Sequence, residues 1–434
     1  MKNYTPLIHI NAISQPNGSV GWFPASLTVF ARRLFPILAV VAIVCTPVVA
    51  FCQQSSTHPI KCATPFAAKI FAGPNPTTYP LPTGFPDSLL SDSGRFMIYY
   101  YAQSNDPDSI STPDFVKRAA EDADSAYAFE IGVLGYTPPA YTVEYFDRVN
   151  KDTVRHYNVY LTSFHSPNGY EAYGATFILD SGQLADSPSG NDLFRSYIQT
   201  DDAFTSAIFA THGLDALRIT IFHEFFHMIQ FSGYGHPPNF ASPYSDYVYF
   251  QEMSSVWMEW LSTPTVKDYL NYVSDYLSTL DVQFDETLTG GYGQYIFFAY
   301  LTNRFHDTSI VKKIWEYYRD SSADPITCID EVLRRDYNSS FCEAYENFGA
   351  RMIQTGRRFG GETVIPDAAV LPVDKIPVET IPVSSIVPVQ ISALSLQFFD
   401  AGIGQDTCIA VLARDTSREL VSNGTIEFLS LDTS

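Results

Sequence analysis

The alternation of apolar and polar residues divides the chain into a strand-rich part and a later helix-rich part. Short runs rich in Tyr, Val, Ile and Phe, bounded by turn residues, predict strands. These runs cover residues 95–103, 141–146, 155–164, 173–180 and 194–200. One helix opened by Pro113 and Asp114 interrupts them, and residues 201–358 have mostly helical spacing. We therefore expect an α+β fold in which a twisted sheet precedes a set of helices.

One of the predicted helices is apolar around most of its circumference. Gly213 and Asp215 offer a start, the following residues contain no Pro or Gly, and Gly233 and Gly235 offer a stop. These signals predict a helix of about twenty residues. A helix that is apolar on nearly all sides is buried in the core of a protein.

The buried helix contains the string HEFFH, in which His223 and His227 are four residues apart. Residues at this spacing are neighbours on a helix, with about 5–6 Å between Cβ atoms, so both imidazoles can reach one metal ion. Glu224 lies about 100° around the helix, beside that ion rather than on it. Burial of these side chains without a metal or a dense hydrogen-bond network would carry a heavy desolvation penalty. The motif therefore predicts a Zn²⁺ site with Glu224 as general base.

A third ligand is expected downstream, because catalytic zinc is held by three protein ligands. The metzincin class would require Gly at 230 and His at 233, but the chain has Gln230 and Gly233, which excludes that class. A second apolar helix is predicted over 246–262, and it carries Glu252 and Glu259. These glutamates are seven residues apart and share a helix face, so helical geometry leaves both open as the third ligand.

The strings HEFFHMIQF and QEMSSVWMEW together resemble the gluzincin branch of zinc metallopeptidases, in particular a group of secreted bacterial metalloproteases. The similarity covers about residues 95–320 and is most specific in the two helices. The resemblance implies a zincin-like fold and hydrolysis of peptide bonds in a protein or peptide substrate. It also implies Glu252 as the third zinc ligand, with Glu259 in a supporting position. The chain departs from the pattern at Met253, where such proteins more usually have Gly.

The predicted ligands are two neutral imidazoles and one carboxylate, which leave zinc enough positive charge to bring the pKa of a bound water to about 7. Glu224 would take the water proton and later pass it to the leaving amine. A donor to the oxyanion is expected among Tyr292, Tyr295, Tyr234 and His236, of which Tyr292 is favoured. The alternative is a non-catalytic surface or adhesive protein that keeps the scaffold and binds through its C-terminal module. The presence of Glu224 favours the enzyme.

Charge and the N-terminal sequence restrict the partners and the location. A net charge of −21 argues against nucleic acid, and no basic run suggests a patch for a membrane surface. Arg32 and Arg33 precede a 17-residue apolar run that ends at Val48 and Ala50, as is typical of a signal peptide. We expect a secreted protein without a membrane partner after cleavage, and a permanent membrane anchor is the alternative. The sequence does not set the oligomeric state.

Four segments are expected along the chain. They are a signal peptide at 1–50, a linker or propeptide at 51–94, a zincin-like catalytic domain at 95–360, and a Pro/Val-rich linker with a β-sandwich-like module at 361–434. Strands of the last segment are predicted over 391–399, 408–414 and 425–431. Cys328 and Cys342 are close enough in sequence to predict a disulfide, and none of the cysteines has a zinc-site spacing.

Overall fold

The computed structural model describes twelve segments of the chain. They are residues 60–64, 79–103, 110–163, 171–184, 193–235, 247–286, 291–321, 323–361, 363–380, 394–400, 407–413 and 425–431. The predicted signal peptide and His236 lie outside them. Of the helices within these segments, none has the length and apolar character that crossing a membrane requires.

Seven strands form one mixed sheet with the order β1-β6-β7-β5-β3-β2, and β4 pairs with β5. The strands are β1 (Ile60–Cys62), β2 (Asp87–Leu90), β3 (Phe96–Tyr100), β4 (Val143–Asp147), β5 (Asp152–Leu161), β6 (Ala172–Gln183) and β7 (Phe194–Thr200). The pairs β1/β6, β3/β5 and β5/β7 are parallel, and the other pairs are antiparallel. All five predicted strands are confirmed, and β1 and β2 come from the segment expected to be a linker or propeptide.

Eight α-helices lie within the described segments, seven of them after the sheet, which confirms the α+β class. They are α1 (Pro113–Tyr127), α2 (Gly213–Ile229), α3 (Val248–Ser262), α4 (Leu270–Leu277), α5 (Tyr295–Phe305), α6 (Ile310–Asp320), α7 (Pro325–Tyr337) and α8 (Phe341–Met352). The predicted helix at Pro113 is α1, whose first turn is capped because Thr112 Oγ1 accepts from the amide of Phe115 at 3.3 Å.

Helix α2 lies between the sheet and the later helices. It packs on β6 and β7, and also on α1 and α3. The ring of Phe225 lies 5.4 Å from that of Phe96 in β3 and 5.7 Å from that of Tyr157 in β5, so aromatic contacts join the helix to the sheet. The helix continues into a π-helical turn at Gln230–Tyr234 and ends at Gly235, where φ is +86°. The predicted length and burial of this helix are therefore confirmed.

A second sheet with the order β11-β10-β9-β8 lies near the C-terminal end of the chain. Its strands are β8 (Val378–Thr380), β9 (Leu396–Asp400), β10 (Thr407–Ala413) and β11 (Thr425–Leu431). The three predicted strands are confirmed as β9, β10 and β11. Leu396 and Phe398 are buried in the same apolar core as the helices, and the amide of Leu396 donates to Leu280 O at 2.7 Å.

The predicted disulfide between Cys328 and Cys342 is wrong. No disulfide joins these two residues, and the Cys328 thiol lies 3.6 Å from the carbonyl oxygen of Ala323. Cys328 is in the first turn of α7, whereas Cys342 is in the first turn of α8. The thiol also lies 3.9 Å from Ser321 Oγ, so it faces the residues that precede α7.

Candidate metal centre

Helices α2 and α3 bring His223, His227 and Glu252 together in the core. The Nε2 atoms of the two imidazoles are 3.1 Å apart. Glu252 Oε2 lies 3.1 Å from Nε2 of His223, and Oε1 lies 3.4 Å from Nε2 of His227. All three side chains are buried. The three residues predicted to bind zinc therefore converge on one point.

The second nitrogen of each imidazole is held by a neighbouring side chain. Nδ1 of His223 lies 2.7 Å from Glu259 Oε1, and Nδ1 of His227 lies 2.8 Å from Gln230 Oε1. Such contacts fix the orientation and tautomer of an imidazole whose other nitrogen binds a metal. Of the two glutamates left open by helical geometry, Glu252 lies at the Nε2 atoms and Glu259 lies behind His223.

The side chain of Gln230 is itself held by residues of α3. Its amide nitrogen lies 3.2 Å from Gln251 O, 3.2 Å from Ser254 Oγ and 3.1 Å from Ser255 Oγ. With the amide nitrogen donating, the amide oxygen is left to accept from Nδ1 of His227. The contact between α2 and α3 thus favours the tautomer in which Nε2 can bind a metal ion.

The donor set fits a divalent metal ion. Glu252 Oε1 is buried and has no hydrogen-bond partner among the described residues. An unpaired buried carboxylate oxygen is costly, and a metal ion between it and the two Nε2 atoms would satisfy all three. Imidazole nitrogen and carboxylate oxygen together are typical zinc ligands. Other divalent ions share this preference, so the donor set supports a metal site without fixing which ion it holds.

Cys62 is a fourth member of the cluster, and it was missed in the sequence. Ligand atoms of Cys62, His223, His227 and Glu252 all lie within 4.8 Å of one another. Cys62 is the last residue of β1 and is buried. Its backbone is held by Tyr292, whose hydroxyl accepts from the Cys62 amide at 3.2 Å and donates to its carbonyl oxygen at 2.9 Å.

Glu224 faces the sheet beside this cluster. Its Oε2 lies 2.9 Å from Thr176 Oγ1 in β6 and 3.3 Å from Thr64 Oγ1 just after β1. Its Oε1 is buried and has no hydrogen-bond partner among the described residues. The helix approaches β6 closely at Gly174, where an added Cβ would lie 3.3 Å from Glu224 Cγ. The carboxylate therefore has one oxygen held by threonines and one available as a proton acceptor.

The acidic groups around the imidazoles set the protonation of the centre. Burial lowers the pKa of His223, but hydrogen bonds to Glu252 and Glu259 outweigh it and raise the pKa to about 10. Burial and the carboxylates of Glu224 and Glu252 raise the pKa of the Cys62 thiol. The surroundings thus favour positive charge at this point, whether it is supplied by a proton on His223 or by a metal ion. A metal ion in contact with the thiol would remove its proton.

A buried charge network lies behind Glu259. Lys61 Nζ is 3.0 Å from Glu259 Oε2 and also bonds the carboxylate of Asp268. Burial lowers the pKa of Lys61, but Asp268 and Glu259 outweigh it and raise the pKa. Asp268 Oδ1 also accepts from Tyr173 Oη at 3.1 Å and from Thr211 Oγ1 at 2.6 Å. Lys61 thereby joins β1 to the helix that carries Glu252 and Glu259.

The structure separates the described candidates for the oxyanion donor. Tyr292 lies against Cys62 at the centre. The hydroxyl of Tyr234 instead accepts from the amide of Thr137 at 3.4 Å, and Tyr295 packs beside Tyr269 with ring centroids 5.1 Å apart. Tyr292 is therefore the tyrosine of these three whose hydroxyl lies next to a member of the cluster.

Comparison of the chain with models of known protein families and with curated proteins finds no match.

Proposed function

We propose that the protein is a secreted zinc metallopeptidase with a zincin-like catalytic domain, which hydrolyses peptide bonds in protein or peptide substrates. The observation that carries the proposal is the convergence of His223, His227 and Glu252 with Glu224 beside them. The buried helix under a mixed sheet supports the zincin-like fold. The proposal of secretion depends on the apolar run that ends at Ala50.

Each residue has a role that follows from its position. His223, His227 and Glu252 would hold Zn²⁺, and Glu259 and Gln230 would keep the imidazoles oriented. The ion would supply positive charge that polarises a substrate carbonyl and lowers the pKa of a water to about 7.

Glu224 would carry the proton in this reaction. Its Oε2 is fixed by Thr176, while Oε1 has no hydrogen-bond partner among the described residues. It would accept a proton from the attacking water and donate it to the leaving amine. The Tyr292 hydroxyl would donate a hydrogen bond to the developing oxyanion. The buried surroundings strengthen both interactions, because the effective dielectric constant is lower than in water.

A second candidate is a non-catalytic surface or adhesive protein, with binding by the C-terminal sheet in a β-sandwich-like module. The position of Cys62 favours it, because zinc sites with four protein ligands are typical of structural zinc. In that case the metal would stabilise the fold, and Glu224 would not take part in a reaction.

Casein cleavage by the purified protein distinguishes the two functions. Cleavage is measured for the parent chain, Glu224→Gln, Cys62→Ala and the double variant of Cys62→Ala with Glu224→Gln. Glu121→Gln, on the exposed face of α1, is the matched control. We expect Glu224→Gln to lower cleavage by about 100-fold or more while zinc is retained, because a positioned general base contributes that much. Glu121→Gln should have no effect. Absence of cleavage in both backgrounds, or cleavage unaffected by Glu224→Gln, would favour the binding protein.

A further inference from the structure

We propose that residues 60–64 form an autoinhibitory segment in which the Cys62 thiolate is the fourth ligand of the metal and closes the centre to water and substrate. Displacement of this segment would open the fourth position and produce the active enzyme. The inference rests on the proposed function, because a latent state has meaning only for a catalytic centre. We refer to residues 60–64 below as the inhibitory segment.

The Cys62 sulfur lies at the candidate metal centre. It belongs to the group whose ligand atoms lie within 4.8 Å of one another, together with both imidazoles and Glu252. Catalytic zinc keeps one position open for water or substrate, whereas a fourth protein ligand fills it. The thiol is buried, and the amide of Thr64 donates to it at 3.3 Å. A thiolate at this position would exclude the water that Glu224 must deprotonate.

The inhibitory segment also contacts Glu224. The hydroxyl of Thr64 lies 3.3 Å from Glu224 Oε2 and accepts from the amide of Thr176 at 2.7 Å. The same five residues therefore contact both the candidate ligand cluster and the candidate general base. Two independent parts of the predicted machinery are covered by one short stretch of chain.

The inhibitory segment lies at one edge of the main sheet. Strand β1 is an edge strand and pairs in parallel with β6, with Cys62 opposite Gly174. The Ala63 amide donates to Gly174 O at 2.9 Å. Extended peptides bind exposed sheet edges in this way, through main-chain hydrogen bonds. The edge of β6 beside Glu224 is where an extended substrate would lie near the metal, and the inhibitory segment occupies it.

Further contacts anchor the segment at Lys61 and at Cys62. Lys61 bonds Glu259 and Asp268, and Tyr292 bonds the Cys62 backbone. Every one of these contacts would be lost on displacement, so they hold the closed state. Displacement would also free the Tyr292 hydroxyl, which the mechanism requires as an oxyanion donor. The strand itself has only three residues, so few backbone hydrogen bonds oppose its release.

Cobalt substitution tests the ligand without depending on activity. The full chain is loaded with Co²⁺, and its near-ultraviolet spectrum is compared with those of Cys62→Ala and of Cys328→Ala, a control at another buried cysteine. A thiolate bound to Co²⁺ gives a charge-transfer band in this region. We expect the band in the parent and Cys328→Ala and its loss in Cys62→Ala, with about one cobalt per chain in all three. Absence of the band from the parent would overturn the ligand assignment.

Casein cleavage by the zinc forms then tests inhibition. Cys62→Ala should cleave roughly tenfold faster than the parent or more, since activity scales with the fraction of chains that are open. Equal cleavage by both would overturn the inhibitory role. Loss of metal from Cys62→Ala would also overturn it, because the cysteine would then be needed to hold the ion. If the parent showed the cobalt–thiolate band but no variant cleaved casein, Cys62 would be a metal ligand and the proposed peptidase function would be wrong.

A measurement on the parent chain covers the case in which Cys62→Ala fails to fold. Alkylation of Cys62 is followed by peptide mass spectrometry in the metal-free protein and after addition of zinc. Zinc should slow the alkylation of Cys62, because a metal-bound thiolate is protected and the closed segment is stabilised by mass action. Alkylation at the same rate with and without zinc would contradict the proposal.

Discussion

Replacement of Lys61 by Met should loosen the inhibitory segment more than any surface substitution. Lys61 is almost fully buried and bonds Glu259 and Asp268. Removal of one partner from a buried ion pair costs about 3–5 kcal/mol, because the remaining charge is left uncompensated. Asp268 keeps hydrogen bonds from Tyr173 and Thr211, and Glu259 keeps His223. We therefore expect the lower end of that range, about 3 kcal/mol.

The assay is alkylation of Cys62 in the metal-free protein, read by peptide mass spectrometry. Cys62 has no exposed surface, so the reagent reaches it only when the segment opens. If opening is fast compared with alkylation, the rate is proportional to the opening equilibrium, and about 3 kcal/mol corresponds to a roughly 150-fold faster reaction. The Met side chain retains a similar apolar length, so the change is confined mainly to the charge.

Lys117→Met is the matched control, because Lys117 is exposed on α1 and pairs with Glu121 at 3.4 Å. An exposed pair contributes about 0.2–1 kcal/mol, which limits the effect to less than about fivefold. If the alkylation rate rose no more in Lys61→Met than in the control, the prediction would be wrong. It would show that the buried network does not hold the segment in place.

Three further substitutions test the orientation of His223, the burial of Glu130 and the packing at Gly174. Glu259→Gln weakens the hydrogen bond that orients His223, so zinc affinity should fall about 10–100-fold in competition with a chelator, and an unchanged affinity would contradict the orienting role. Burial raises the pKa of Glu130, whose carboxylate has no hydrogen-bond partner among the described residues. The contribution of this group to stability is therefore full below a pH of about 4.5. It falls by roughly 1.4 kcal/mol per pH unit as the pH rises towards the folded-state pKa. Glu130→Gln should remove this dependence of the unfolding free energy on pH, measured by urea unfolding at several pH values. An unchanged dependence would contradict the raised pKa of Glu130. Gly174→Ala should destabilise the protein by about 1–3 kcal/mol in the same assay, because its Cβ would lie 2.7 Å from a threonine methyl group. Gly132→Ala is the control and should be nearly neutral, because its Cβ would have nothing within 4 Å.

Local signals in the sequence were sufficient for the elements that carry the site. The bounds and burial of α2 follow from its glycines and its nearly continuous apolar surface. The strands of the main sheet follow from runs of aromatic and β-branched residues. Convergence of His223 and His227 follows from helical spacing alone. These features depend on residues close together in the chain.

Features that depend on distant parts of the chain could not be predicted from spacing. Cys62 meets Tyr292 across 230 residues, and Lys61 meets Asp268 across 207. Both contacts exist only because β1 pairs with β6, and three residues of strand carry too weak a signal to predict that pairing. Helical geometry could not separate Glu252 from Glu259, because the choice depends on how α3 crosses α2.

Closeness in sequence was misleading in the opposite way for Cys328 and Cys342. The chain after α7 returns close enough for the amide of Phe341 to donate to Asp330 Oδ1 at 2.8 Å, but the Cys328 thiol faces Ser321 and Ala323, which precede α7. A disulfide requires the two side chains to point towards each other as well as a short distance between their backbones. The direction of the thiol was therefore more informative than its distance along the chain.

The zinc content of the purified chain after dialysis tests whether His223, His227 and Glu252 hold a metal ion. The parent, His227→Ala, Glu252→Gln and Glu259→Gln are compared by mass spectrometry of the metal. We expect about one zinc per chain in the parent and in Glu259→Gln, and loss of zinc from His227→Ala and Glu252→Gln. A parent chain without zinc would contradict the metal centre itself. Zinc kept by Glu252→Gln and lost from Glu259→Gln would show that the wrong glutamate has been assigned as the ligand.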